Sequence, residues 1–262
     1  ELGDAERSLL ARRDAEPRER LRIATSRLRL EVREPVSLDR LRASDSGVLV
    51  GPKAANLGQL AADFPGRVSP AFALPFGMFV QHVDRPFGEG GRTVLEELRA
   101  AYGTAAAMRE RGATEEDVDA YVLERLAWVR SAIEGLEWLP EQRRAVVDEL
   151  RRMLDGDVSR GVFVRSDTNV EDLPQFSGAG LNLTVAHQVT EEAVLASVKR
   201  VWTSPFTERA YLWRKQILEE QGDVFPSVLL QQTVPSAKSG VLITSGLQEG
   251  DADDLTVVTA EG

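Results

Sequence analysis

Residues 161–185 read GVFVRSDTNVEDLPQFSGAGLNLTV. Gly161 to Val164 form a short apolar run of strand character, and the run ends on a bare arginine, Arg165. A polar turn follows with Asp167, Thr168, Asn169, Glu171 and Asp172, then Pro174, then the small residues Ser177, Gly178, Ala179 and Gly180, then a second strand-like run, LNLTV. Strand, charged turn, glycine loop, strand: such a stretch either turns a corner or holds something anionic. An arginine directly after an apolar strand sits at the strand's mouth, where ligands of mixed α/β sheets lie. Its planar fork suits phosphate oxygens. The alternative for Arg165 is an internal ion pair with Glu171 or Asp172. The glycine loop could let backbone approach a ligand closely, or simply turn.

Working outward, residues 47–62, GVLVGPKAANLGQLAA, read as a strand, a Gly-Pro-Lys turn and a helix of small and apolar residues. Lys53 stands where the first amides and the dipole of that helix favour an anion; the alternative is a surface lysine in a turn. The segment AFALPFGMFVQHV, 71–83, is apolar and broken by Pro75 and Gly77. A helical block runs from about Thr93 to Asp155, with Thr114 and Asp117 as a capping box, Pro140 in a first turn, and Val146, Val147, Leu150, Met153 and Leu154 on one face before Gly156. A helix over roughly 190–221 carries Val194, Val198, Trp202, Tyr211 and Leu212, and the runs SVLLQQTV, SGVLITS and DLTVVTA are short strands. Alternation puts Gln231 and Gln232 on opposite faces of the first of these, one towards solvent and the other towards a site or a partner amide. Residues 4–32, rich in Arg, Glu and Leu, read as a helix, either a connector from something upstream or a solvated helix.

The chain has 262 residues, 42% of them hydrophobic, enough for a sizeable core and two lobes. No window resembles a membrane span, and the strongly charged start does not resemble a signal peptide. There is no cysteine, which excludes disulfides and thiolate metal sites and fits a cytoplasmic location. A net charge of −10 argues against nucleic-acid binding through a broad basic face. It leaves a phosphate ligand open, since a local Lys/Arg pair decides that. Of the two histidines, His82 follows an apolar stretch and His187 follows LNLTV. Neither sits in an exposed glycine-rich turn, so both are expected to be structural. No His/Asp/Glu set has metal-ligand spacing and no serine elbow is present.

Taken in order, GPKAANLGQL, ALPFGMF, VRSDTNVEDLPQFSGAGLNLTV, VWTSPFTERAYLWR and VLLQQTVPSAKSGVLIT resemble the nucleotide-binding domain of the pyruvate, phosphate dikinase type, also called the PEP/pyruvate-binding domain. That domain occurs in pyruvate, phosphate dikinase, phosphoenolpyruvate synthase, the plant glucan water dikinases and rifampin phosphotransferase. The resemblance covers roughly 47–262, and ALPFGMF and TERAY lean towards the glucan water dikinase branch. It implies an α+β fold of the ATP-grasp kind, with two lobes clamping ATP. The division expected is a helical connector over 1–46, an N-terminal lobe with a helical insertion over 47–188, and the start of a second lobe over 189–262. The chemistry implied is transfer of the β-phosphoryl of ATP, with Mg²⁺, to a histidine on a separate swivelling domain, and from that phosphohistidine to a small molecule or a glucan on an acceptor domain. Residue by residue, the resemblance puts Lys53 and Arg165 on the ATP phosphates, Gly180 and Thr184 along the nucleotide loop, and Gln231 near the adenine.

The sequence departs from the family pattern at two of these motifs. Pro52 replaces a glycine, and Asp167 replaces the second serine of VRSS, an added negative charge near a polyanion. The family's acidic metal pair and acceptor histidine fall beyond Gly262, so neither catalytic nor metal-binding residues are expected in this chain. Glu1 and the terminal TAEG read as cuts inside a longer polypeptide, truncating the second lobe. A second reading is a degenerate module that binds nucleotide, or only a partner domain, and transfers nothing.

Overall fold

The computed structural model of the chain describes residues 20–22, 25–88, 91–171, 183–219, 221–243 and 255–261. The chain divides into two compact units, residues 1–232 and 233–262. The fold mixes helix and sheet, as α+β requires.

The first unit is built on a five-stranded antiparallel sheet in the order β1-β2-β5-β3-β4, formed by β1 (Val36–Ser37), β2 (Ala71–Leu74), β3 (Val162–Thr168), β4 (Thr184–Gln188) and β5 (Pro226–Gln232). β5, which the sequence division places in 189–262, therefore lies between β2 and β3. Directly paired residues share a face, so the register sorts the side chains into two sets. Phe72, Leu74, Val162, Val164, Val228 and Leu230 face one way and form the main core. Ala71, Ala73, Phe163, Arg165, Asp167, Ser227, Leu229 and Gln231 face the other.

The core face is covered by helices. These are α2 (Phe76–Val83), α3 (Val94–Glu110), α4 (Glu115–Gly135), α5 (Pro140–Met153) and α6 (Glu191–Thr203), which contribute Phe79, Leu98, Leu126, Leu150 and Trp202 among others to one buried cluster. Half of the expected capping box forms: Thr114 Oγ1 accepts the Asp117 amide at 3.1 Å, while the Asp117 carboxylate takes the Thr114 hydroxyl and not its amide; Pro140 opens α5 as expected. The single helix read over 190–221 is two, α6 and α7 (Glu208–Lys215). A 3-10 turn at Ser204–Phe206 separates them, because Pro205 lacks an amide hydrogen and crowds the preceding turn. The helix read over 4–32 falls largely outside the described residues. Thr25–Arg27 form a 3-10 turn, and residues beyond it lead to β1, whose pairing with β2 draws the segment into the sheet.

The opposite face is covered in part by α1 (Pro52–Asp63). Its inner residues, Ala54, Ala55 and Gly58, are small, and this brings it down onto Val36, Leu41, Ala71, Ala73 and Leu229. Residues 47–50 ahead of it form a turn, not the strand expected, with Ser46 and Val50 joined by an isolated bridge. In the second unit, β6 (Lys238–Ile243) and β7 (Thr256–Glu261) pair antiparallel. No helix among the described residues is long and apolar enough to cross a membrane.

Candidate functional site

Beyond the edge of α1, the sheet face leaves Phe163, Arg165 and Gln231 half-buried and Thr184 exposed. Arg165 is paired in register with Thr184 on one side and Leu229 on the other, and Gln231 is paired with Phe163. Arg165 and Gln231 are thus diagonal neighbours, and Arg165 Nη1 donates to Gln231 Oε1 at 2.9 Å. Sequence reading offered Arg165 an ion pair with Glu171 or Asp172 as the alternative to a phosphate; among the described residues its partner is the neutral Gln231 amide, and Asp172 lies outside them. Gln232 lies on the other face. With its amide set to satisfy its surroundings, its oxygen accepts from Arg160 Nε at 3.2 Å and Nη2 at 2.8 Å. Neither glutamine simply faces solvent, since each is matched to an arginine.

Lys53 enters from α1. Its ammonium donates to the Ser166 carbonyl at 3.0 Å and forms an ion pair with Glu171, whose side chain is 5% exposed. Glu171 thus meets the lysine of the site, a pairing with no sequence signal beyond a polar turn. The helix start itself is filled. The Asp167 carboxylate, fully buried, accepts the Lys53 amide at 3.1 Å and the Ala54 amide at 2.9 Å. Ser227 Oγ accepts the Gly51 amide at 3.0 Å and donates to the Asp167 carbonyl at 3.2 Å. The first amides of a helix are natural anion ligands, and the anion here is the chain's own. Asp167 is thus a cap delivered from a strand, not a loose charge beside a ligand. Burial pushes its carboxyl up to about 7, and Glu171 adds to the rise; the Ala54 and Lys53 amides and the Lys53 ammonium pull the other way.

Gly180 lies outside the described residues. His82 is fully buried between Trp138 and Trp202, with ring centroids 5.4 and 5.0 Å away. Burial, then the nearby Arg85, hold its imidazole down at about 4, a structural residue as expected. His187 is exposed on β4 with a left-handed φ of 50°. Among the described residues no cluster of three or more His, Asp or Glu could hold a metal. A cavity of about 310 Å³ lies elsewhere in the unit, lined by Arg99, Tyr102, Arg109, Val122 and Tyr211 and by none of the residues of the sheet face.

Residues 48–262 match the family described as pyruvate phosphate dikinase, AMP/ATP-binding domain. The chain is 32% identical over 219 residues to a phosphoenolpyruvate synthase of Aeropyrum pernix, covering 82% of this chain and 24% of that protein. It is 34% identical over 206 residues to a probable phosphoenolpyruvate synthase of Archaeoglobus fulgidus, covering 78% and 25%. It is 30% identical over 208 residues to a rifampicin phosphotransferase of Streptomyces, covering 79% and 22%. The chain therefore spans about a quarter of the length of these curated relatives. The lean towards the glucan water dikinase branch gains no support from them.

Proposed function

The chain belongs to the pyruvate phosphate dikinase AMP/ATP-binding domain family, and from that premise we propose that the sheet face beside α1 holds ATP. In this reading Lys53 and Arg165 bind the phosphates, Thr184 and Gly180 line the nucleotide, and Gln231 lies by the adenine. The observation that carries it is the convergence of Lys53, Arg165, Thr184 and Gln231, brought by α1, β3, β4 and β5, on the one sheet face that the described helices leave partly open. The chemistry fits. Two cationic donors, each bonded to groups that can be exchanged for phosphate oxygens, make charge-assisted bonds worth roughly 1.5–3 kcal/mol apiece.

The fold belonging to this reading is an ATP-grasp, with the sheet in its first lobe. The whole protein would pass the β-phosphoryl of ATP to a histidine on a swivelling domain, and from there to a small molecule or glucan. Mg²⁺ enters as the ion that neutralises phosphate charge in such transfers, and its ligands are assigned to no residue here. A second reading, a degenerate module that transfers nothing, is favoured by Asp167, which occupies the helix start from within. Calorimetric titration with ATP tests the site. Affinity should fall in Lys53→Ala and in Arg165→Ala; equal affinity in both variants and the native chain would remove the phosphate role from this face.

A further inference from the structure

The open sheet face carries an aromatic ring that packing among the described residues does not account for. Phe163 is half-buried and belongs to none of the three apolar clusters that the described residues form. Its neighbours on β3, Val162 and Val164, point into the main core and are fully buried. Alternation puts Phe163 on the other side, on the face of Arg165 and two residues before it. Its partner across the strands is Gln231, which in turn bonds Arg165. That bond decides which end of the amide is on offer. Gln231 Oε1 is taken by Arg165 Nη1 at 2.9 Å, so the end left for a ligand is the NH2, which only donates. Further along β3, the ammonium of Lys53 donates to the Ser166 carbonyl at 3.0 Å.

In order along one strand, then, stand an aromatic ring with an amide donor beside it, an arginine and a lysine. The strand separates the ring from the arginine by about 6.7 Å. A nucleoside triphosphate has matching parts in the same order: a flat base with unprotonated ring nitrogens, a sugar, and a chain of phosphates. We propose that Phe163 is the platform on which the nucleotide base stacks, that the Gln231 NH2 donates to an unprotonated ring nitrogen of that base, and that the phosphates run along β3 from Arg165 towards Lys53. The inference rests on the reading of this face as the ATP site and deepens it, since that reading gives the base no surface to lie on. Stacking is indifferent to the identity of the base, because every base has a π-face. The donor-only amide is the group that selects, in favour of a base edge that presents an acceptor.

Calorimetric titration of the chain with ATP, and separately with inorganic tripolyphosphate, tests it. Tripolyphosphate keeps the phosphates and lacks the base. Phe163→Ala should weaken ATP binding by roughly 5- to 150-fold, the range for loss of one base–aromatic stack, and leave tripolyphosphate binding unchanged. Arg165→Ala should weaken both. Phe163→Tyr keeps a ring and should hold ATP as the native chain does; Phe163→Leu keeps apolar bulk without a ring and should not. Equal losses for the two ligands in Phe163→Ala would show a disturbed fold and no stack, and native ATP affinity in Phe163→Leu would show bulk alone at work; either overturns the platform. Native ATP affinity in Phe163→Ala, with loss in Arg165→Ala, overturns the platform and leaves the site standing. ATP binding indifferent to both changes overturns the site reading, and the platform with it.

Discussion

Gly51 and Asp167 meet without room for a methyl group: a Cβ on the glycine would stand 2.2 Å from one carboxylate oxygen and 2.8 Å from the other. The φ of Gly51 is −78°, which any residue adopts, so only the close approach requires glycine. Gly51→Ala should therefore destabilise by about 1–3 kcal/mol through overpacking. The same change in an Asp167→Ser background should cost markedly less, because the clashing group is gone. A double-mutant cycle on chemical denaturation midpoints reads the coupling. Additive costs would mean that the helix start shifts to admit the methyl.

Arg165→Ala should lower ATP affinity by about 1.5–3 kcal/mol, the worth of a hydrogen bond to a charged group. Arg165 is half-buried and bonded to a neutral amide, so the fold should be little affected. Titration calorimetry together with a native circular dichroism spectrum checks both halves of this expectation.

Asp167 gives stability a pH dependence of definite sign. Its folded carboxyl lies near 7, against an ordinary value of 3.8. The stability associated with its protonated form is present in full below the ordinary value and is lost as pH rises through about 7. Asp167→Ser should remove that decline. Urea titrations of both proteins between pH 4 and pH 8 should show their stability difference moving in favour of the variant as pH increases. A constant difference would mean that the carboxylate is ionised throughout. Asp167→Ser also frees the Lys53 and Ala54 amides that the carboxylate accepts.

His82 works in the opposite direction. Its folded imidazole lies near 4, below the ordinary 6.5, so the neutral ring stabilises the fold above 6.5 and that stability is lost as pH falls towards 4. The window is worth roughly 3 kcal/mol. His82→Phe keeps a ring against Trp138 and Trp202 and should abolish this acid sensitivity, read as the shift of unfolding temperature between pH 7 and pH 4.5. Because the slopes due to Asp167 and His82 oppose each other over most of this range, the native chain should look flatter than either variant.

Local chemistry was legible in the sequence. Pro140, the Thr114 cap and the stripe Val146, Val147, Leu150, Met153 act within one helix, and each stands where its spacing put it. The strand opened by GVFV was equally readable from its β-rich run, but it continues past Arg165 to Thr168, so Asp167 and Thr168, read as part of a turn, belong to it. What could not be read joins distant segments. Asp167 caps a helix more than a hundred residues earlier, and neither end of that contact carries a local cue. The same holds for Glu171 on Lys53 and for Arg160 on Gln232, whose partners are fixed by sheet register and by how α1 lies across it. Helix periodicity misled over 25–32, where the demand of the β2 edge for a partner strand shortly downstream prevailed.

The head of α1 is also a natural reporter. The amide hydrogens of Lys53 and Ala54 have no carbonyl four residues back to hold them; a single side chain does so. Their replacement by deuterium will therefore follow the Asp167 carboxylate and not the unwinding of the helix. First-turn amides ordinarily exchange among the fastest in a helix. A pair of slow ones at these positions, quickening when the carboxylate is protonated or displaced, would let isotope labelling watch one side chain move in a chain of 262 residues.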